Sequence, residues 1–197
     1  MAEIFPFRAY RFDAARVNLG KVLTQPYDKI SPVMQERYYA LDPHNLITVE
    51  KGKSRPGDAA GNNVYTRAAH SLQEWIAAGV LVREPAPAVY AYFQDYQMPG
   101  TREWKVRKGF IALGRVENYA AGVVFRHEQT LSGPKADRLE LLRHTRTHTG
   151  QLFMLYIDPE RRLDALLEEV SRVQAPVAVR DEFGVVLRDL ARPADAV

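Results

Sequence analysis

Apolar residues recur at Val64, Ala68, Leu72, Trp75 and Ile76, in steps that place them along one stripe of a helix, with Gly79 where that helix would stop. The same period returns at Leu163, Leu166, Leu167 and Val170 and predicts a second amphipathic helix over 159–172. A two-residue alternation marks "AVYAYFQDYQM" (88–98) and "REWKVRKGFIALGRV" (102–116) instead. These flank Met98-Pro99-Gly100-Thr101 and predict an antiparallel hairpin with a Pro-Gly turn. Within it Trp104 and Val106 alternate with Glu103, Lys105 and Arg107, so one buried and one charged face are expected, with a bulge at Gly109. The apolar runs "NLITVE" (45–50) and "QLFMLYID" (151–158) read as buried strands, and "APVAVRD" with "VVLRDL" as a hairpin across "EFG".

Turn and cap residues divide the rest. Residues 4–11 and 20–25 read as extended around Pro6 and Pro26, and "TQPYDKIS" as a loop. Ser31 and Pro32 predict an N-cap and first helical position, with the helix ending at Asp42-Pro43. "KGKSRPGDAAGNN" (51–63) is a loop by its glycines, proline and polar background. "GVVFRHE" is expected to enter as a strand, "QTLSG" to turn, and "PKADRLELLRHT" to leave as a helix with Leu139 and Leu142 inward. The alternation of elements predicts an α+β fold, a mixed and mainly antiparallel sheet with packed helices. It is expected to span 1–190 as one domain, a division near 85 being the alternative. The tail 191–197 has nothing to pack against, as if the chain were cut from a longer protein.

Composition narrows the function classes. The 197 residues contain no cysteine, which excludes disulfides and thiolate metal sites and agrees with a cytoplasmic protein. The N-terminus lacks a signal-peptide core, and no apolar run approaches the ~20 residues that cross a bilayer. The net charge is +3, with lysine and arginine interspersed among acids. That excess is too small to make nucleic acid the first-choice partner, although "TREWKVRK" (101–108) sets Trp104 among four cations.

The chemistry-bearing stretch is "FRHEQTLSGPKADRLELLRHT" (125–145). A helix starting near Gly133 presents bare backbone N–H groups and partial positive charge to an anion, and Ser132, Gly133 and Lys135 lie there. Arg138 follows one turn on, Thr130 and Ser132 offer hydroxyls, and Arg126 adds a charge. The segment is not a Walker loop, since neither the glycine spacing nor the Gly-Lys-Ser/Thr ending is present. His127 and Glu128 are candidates for general acid/base chemistry, with an ordinary ion pair from Glu128 to Lys135 or Arg138 as the plainer reading. His144 and His148 have the i, i+4 spacing of zinc ligands, but no glutamate follows His144, and they are read as solvated or core-edge histidines. No metal ligand set is assigned.

"PFRAYRF", "VLTQPYDKIS" (22–31), "DPHNLITV" (42–49), "RHEQTLSGPKADRLELLRHTRTHTGQLFMLY" (126–156) and "DEFGVVLRDL" (181–190) resemble the bacterial and archaeal family catalogued as domain of unknown function 1015. The resemblance spans nearly the whole chain. Family members usually continue into a second half whose Asp-Gly-His-His-Arg motif is similar to a signature of the ParB/sulfiredoxin-like superfamily, which includes free-serine kinases. That motif does not occur in these 197 residues. Pro26, Tyr27 and Asp28 match the first family motif, and Arg126, His127, Glu128 and Thr130 the second, followed by Lys135, Asp137 and Arg138. The resemblance implies a nucleotide-dependent small-molecule phosphotransferase, or its nucleotide-binding part, using Mg²⁺ with ATP or ADP. The cationic helix start would hold phosphates, Glu128 or His127 would activate a hydroxyl, and Asp28 would bind Mg²⁺ or orient the substrate. The alternative is a non-catalytic module that binds nucleic acid or a protein.

Overall fold

A computed structural model describes residues 2–126, 131–173, 177–180 and 186–193. In chain order the elements are β1 (Ile4–Phe5), β2 (Tyr10–Phe12), α1 (Leu19–Val22), α2 (Pro32–Leu41), α3 (Ile47–Glu50), α4 (Val64–Ala77), β3 (Leu81–Arg83) and β4 (Ala88–Gln97). Then come β5 (Trp104–Ile111), β6 (Leu113–Gly114), α5 (Ser132–Thr145), α6 (Arg162–Val173), β7 (Val177–Arg180) and β8 (Val186–Pro193). The fold is α+β. Its described residues cluster into two compact units, one drawn from the segments 1–9, 83–125 and 153–197, the other from 10–82 and 126–152.

The first unit holds a four-stranded antiparallel sheet ordered β5-β4-β8-β7. β4 and β5 form the expected hairpin, and Gly100 takes a left-handed φ of 75° in its turn, a conformation that glycine adopts without steric cost. The register runs unbroken through Tyr92 opposite Gly109, so no bulge forms there. β7 and β8 pair as expected, while "EFG" (182–184) lies outside the described residues. β8 continues to Pro193 opposite Ala88, so the start of the expected tail is strand, drawn in by the ladder that β4 offers. Leu167 and Val170 of α6 are buried with Ala91 and Phe93 of β4, while Lys108 reaches from β5 to Glu168 at 2.5 Å and Asp164 at 3.6 Å.

Three further expectations fail. Trp104 and Val106 are half exposed rather than buried, because the α6 core is built on Ala91, Phe93 and Phe110 farther along the hairpin. Residues 151–158 form no strand among the described residues, and Leu152, Leu155 and Ile157 are exposed. An apolar run makes a strand only when a ladder accepts its backbone, and none does so here. The "GVVFRHE" strand is likewise not seen over Gly122–Arg126. Asn118 caps a single 3₁₀ turn at Tyr119–Ala121, and Gly122, with φ 65°, ends that turn in the left-handed region.

In the second unit α4 is the central element. Asn63 caps it, its side chain accepting from the Tyr65 and Thr66 amides, while Thr66 Oγ1 accepts from the Asn63 amide in a capping box. Ala68, Leu72 and Trp75 bury against Val17, Val22, Val49, Val80 and Leu141, whereas Ile76 stays partly exposed at the edge of the stripe. Gly79 ends the helix with φ 69°. α2 follows the sequence reading, with Ser31 Oγ accepting from the Met34 amide and Asp42 beyond the last turn. Two segments expected to be extended are instead one-turn helices. Asn18 Oδ1 accepts from the Gly20 amide to start α1, and Asn45 Oδ1 accepts from the Ile47 amide to start α3. Such local side-chain bonds favour a turn at these points over the strand that the composition suggested. In α5 the inward residue is Leu141, with Leu139 exposed, because α4 packs against a different face from the one the Leu139/Leu142 spacing suggested.

Asn45 is fully buried, and its Nδ2 donates to the Lys21 carbonyl at 2.6 Å and the Leu23 carbonyl at 3.2 Å. It ties α1 to α3. Replacing it by alanine orphans two carbonyls and one amide, so Asn45→Ala should lower unfolding free energy by about 3 kcal/mol in urea denaturation. Leu72→Ala should cost about 2–5 kcal/mol by opening a cavity in the α4 core.

Candidate functional site

The Pro26-Tyr27-Asp28 motif is a tight turn closed by the Lys29 amide donating to the Pro26 carbonyl at 2.9 Å. Lys51, directly after α3, secures it by donating from Nζ to the Ile30 carbonyl at 2.5 Å and the Tyr27 carbonyl at 3.2 Å. Ile30 buries beside Tyr38 and Ile47, which anchors the far end of the turn. Asp28 remains exposed, with the Lys29 ammonium 4.0 Å from its carboxylate.

Arg138 of α5 joins this turn to the rest of the unit. Its guanidinium lies 4.1 Å over the centre of the Tyr27 ring, a cation–π contact. Nη1 donates to Glu50 Oε2 at 3.0 Å and Nη2 to the Glu50 carbonyl at 2.8 Å. Nε and Nη2 also donate to Asp137 Oδ2, at 3.0 and 2.6 Å. The other Asp137 oxygen accepts from the Tyr65 hydroxyl at 2.9 Å, and the Tyr65 ring stacks on His144 with centroids 5.7 Å apart. His144 Nδ1 lies 2.8 Å from the Glu140 carbonyl, so Nδ1 is the protonated nitrogen in that bond. Burial first, and the bond to Asp137 second, push the Tyr65 phenol above its usual range.

Glu50 is the residue that the motif reading missed. Its side chain is only 9% exposed, and Oε1 is buried with no hydrogen-bond partner among the described residues. A buried, unsatisfied acceptor costs about 1–3 kcal/mol, so a fold that keeps one calls for an explanation. The sequence signal was weak, since a lone glutamate ended a run read as a strand. Only the helical turn of α3 aims it at α5.

The anion-site residues fall into three groups. Ser132 and Gly133 lie in the first turn of α5, where the Lys135 amide makes the first intrahelical bond, to the Leu131 carbonyl at 3.2 Å, and a Cβ on Gly133 would meet nothing within 4 Å among the described residues. Lys135 is exposed and has no ion-pair partner among the described residues. Arg138, by contrast, is committed to Glu50 and Asp137, so its charge is already matched by carboxylates. Arg126 is exposed on the approach to α5, whereas His127, Glu128 and Thr130 lie outside the described residues. α5 ends at Thr145 with Arg146 left-handed at φ 53°, so His144 and His148 do not share a helical face.

Glu50→Ala should remove the Nη1 acceptor of the half-buried Arg138, leaving it Asp137 and the residue-50 carbonyl, and destabilise the protein by about 1–3 kcal/mol. Glu50→Gln, which keeps an acceptor, should cost less in the same urea titration. Tyr65→Phe should cost about 1 kcal/mol at neutral pH. A phenol raised in the fold favours folding below the unfolded tyrosine pKa, and that contribution is lost as pH rises through the folded value. The phenylalanine variant should therefore lose less stability than the parent between neutral and strongly alkaline pH.

No curated protein matches the chain, and no solved structure matches it. The family model described as "Protein of unknown function (DUF1015)" matches residues 4–188. That match takes in the Pro26-Tyr27-Asp28 turn, α3, α4 and α5 alike, and the chain therefore belongs to the DUF1015 family.

Proposed function

We propose that the chain is a nucleotide-dependent small-molecule phosphotransferase of the free-serine-kinase kind, or the nucleotide-binding part of one, as the ParB/sulfiredoxin-like resemblance suggests. The observation that carries this reading is the contact of Arg138 with Tyr27, which draws two sequence-distant family motifs together. It sets Asp28 one residue, and Lys135 one helical turn, from the same junction. Lys135 and the Ser132 and Gly133 amides hold the phosphates, and Arg126 and Thr130 extend that cradle. Arg138, neutralised by its carboxylates, positions the junction. Phosphoryl transfer suits such parts, since it is catalysed mainly by alignment and charge neutralisation.

Among the described residues no group of three acidic or histidine side chains is placed to hold a metal. A nucleotide-borne Mg²⁺ needs only one or two protein carboxylates besides phosphate oxygens, and the exposed Asp28 fits that requirement. Bound there, the ion would neutralise charge on the transferring group. Glu128 or His127 takes the proton from the acceptor hydroxyl as its oxygen bonds to the terminal phosphorus and the shortened nucleotide departs, ADP from ATP or AMP from ADP.

The half-exposed Trp104 favours a second reading, stacking on a single-stranded nucleic acid. Its neighbouring cations are largely matched internally, however. Lys105 pairs with Glu103 at 2.5 Å and Lys108 with Glu168, whose carboxyl Lys108 holds below its usual range.

Differential scanning with Mg²⁺ and ATP or ADP tests the main reading. Nucleotide at about a hundred times its Kd should add about 2.7 kcal/mol of stability. Lys135→Glu should remove the shift and Asp28→Asn should weaken its Mg²⁺ dependence. No shift across a panel of nucleotides would overturn it. Salt-sensitive retention of oligonucleotides, lost on charge reversal at Lys105, Arg107 and Lys108, would favour the second reading instead.

A further inference from the structure

A cleft of about 580 Å³ opens between the loop after α3 and the outer face of α4. Its walls include Lys53, Ser54, Arg55, Arg67, His70 and Ser71. None of these residues belongs to the motifs above, and none is assigned to the proposed phosphate cradle at α5.

The loop is tied to α4. Arg67 donates to both Asp58 oxygens, at 2.7 and 3.0 Å, to the Lys53 carbonyl at 2.9 Å and to Asn62 Oδ1 at 3.2 Å. The Arg67 guanidinium holds the Asp58 carboxyl below the usual carboxylate range, so the clamp stays charged through neutral pH. At the loop's start, a Cβ on Gly52 would come within 3.2 Å of the Thr48 carbonyl, a close approach that glycine allows. Lys53 lies 4.5 Å over the Tyr39 ring and pairs with Glu36.

Asp58 answers Arg67, Glu36 answers Lys53 and Glu74 lies 3.0 Å from His70, which leaves the Arg55 guanidinium as the wall cation with no carboxylate within 4 Å among the described residues. Arg55 is exposed on the rim; its amide donates to Asp58 Oδ2 at 3.1 Å and its charge adds to that of Arg67 in holding this carboxyl low, but its guanidinium makes no ion pair within 4 Å among the described residues. Its guanidinium is a planar fork suited to phosphate oxygens, and the Ser54 and Ser71 hydroxyls stand on the same walls as further donors. The volume falls within the ~300–1,000 Å³ of small-molecule sites and exceeds what a bare phosphate needs. Tyr39, Pro56 and Val64 supply apolar wall for the remainder of a ligand.

We propose that this cleft binds a small organic phosphate, with Arg55 as its principal charge contact and Ser54 and Ser71 completing the phosphate end. The site stands independently of the phosphotransferase reading, which places its phosphates at Lys135 and the start of α5.

Calorimetric titration of the full chain with pyrophosphate, AMP and glycerol 3-phosphate tests it, the three probes separating the phosphate from a base and from a short polyol. At least one organic phosphate should bind more tightly than pyrophosphate. Arg55→Ala should weaken that binding about tenfold. Binding of glycerol 3-phosphate, which carries neither a base nor a diphosphate, should not change in Lys135→Glu. Because Arg55 is exposed, its replacement should preserve the far-UV circular dichroism and melting temperature, so a loss of binding reports on contact rather than on folding. The proposal is overturned if no probe binds at about 5 mM, a Kd range too weak for a dedicated site. It is equally overturned if a folded Arg55→Glu variant binds as the parent does, or if Lys135→Glu alone abolishes binding of glycerol 3-phosphate.

Discussion

The bond between Arg138 and Glu50 is the constraint on which the helical unit depends. A carboxylate taken out of water is costly unless a cation and further donors meet it, and Arg138 supplies both to the side chain and carbonyl of Glu50. The same guanidinium covers Tyr27 and binds Asp137, which in turn accepts from Tyr65 on α4. One planar cation thus connects α3, α4, α5 and the Pro26-Tyr27-Asp28 turn. α3 is a single turn, far below the ~12–15 residues at which an isolated helix becomes even marginally stable, so tertiary contacts of this kind must hold it.

That arrangement separates structural charge from charge left for recognition. Arg138, Arg67 and Lys108 face carboxylates of their own unit, and each ties one element to another. Lys135 and Arg55 are exposed and have no such partner among the described residues. An incoming anion meets least competition at those two positions, because a guanidinium or ammonium already matched to a carboxylate gains little from a second one. The buried Glu50 Oε1 is the reverse case, an acceptor with no described donor, set beside the junction of the two family motifs.

Much of the fold was legible where local chemistry and long-range packing agree. The Ser31-Pro32 start of α2, the α4 stripe ended by Gly79, the Pro-Gly hairpin of β4 and β5, and the Leu167/Val170 face of α6 all follow from caps, turns and periodicity. The failures share a cause. "NLITVE" and residues 151–158 are short apolar runs whose composition suits a strand, yet a strand exists only where a neighbour completes its ladder. In the first, the Asn45 side-chain bond favours a turn over a strand, and the second finds no ladder among the described residues. Leu139 and Leu141 exchanged roles because the face that α4 covers is set by docking, not by spacing alone.

By itself the sequence determined which segments could be helices or hairpins, that no thiolate chemistry is available, and that the Pro-Tyr-Asp and Arg-His-Glu-x-Thr stretches mark one family. These are properties of neighbouring residues, and neighbours in sequence remain neighbours in any fold. Tertiary structure alone decided that Tyr27, Glu50, Tyr65 and Arg138 meet, because they are brought together from a loop and three helices by burial and hydrogen bonding. It also decided which cations are consumed internally, since a charge's partner is chosen by distance in space, which the order of residues along the chain does not specify.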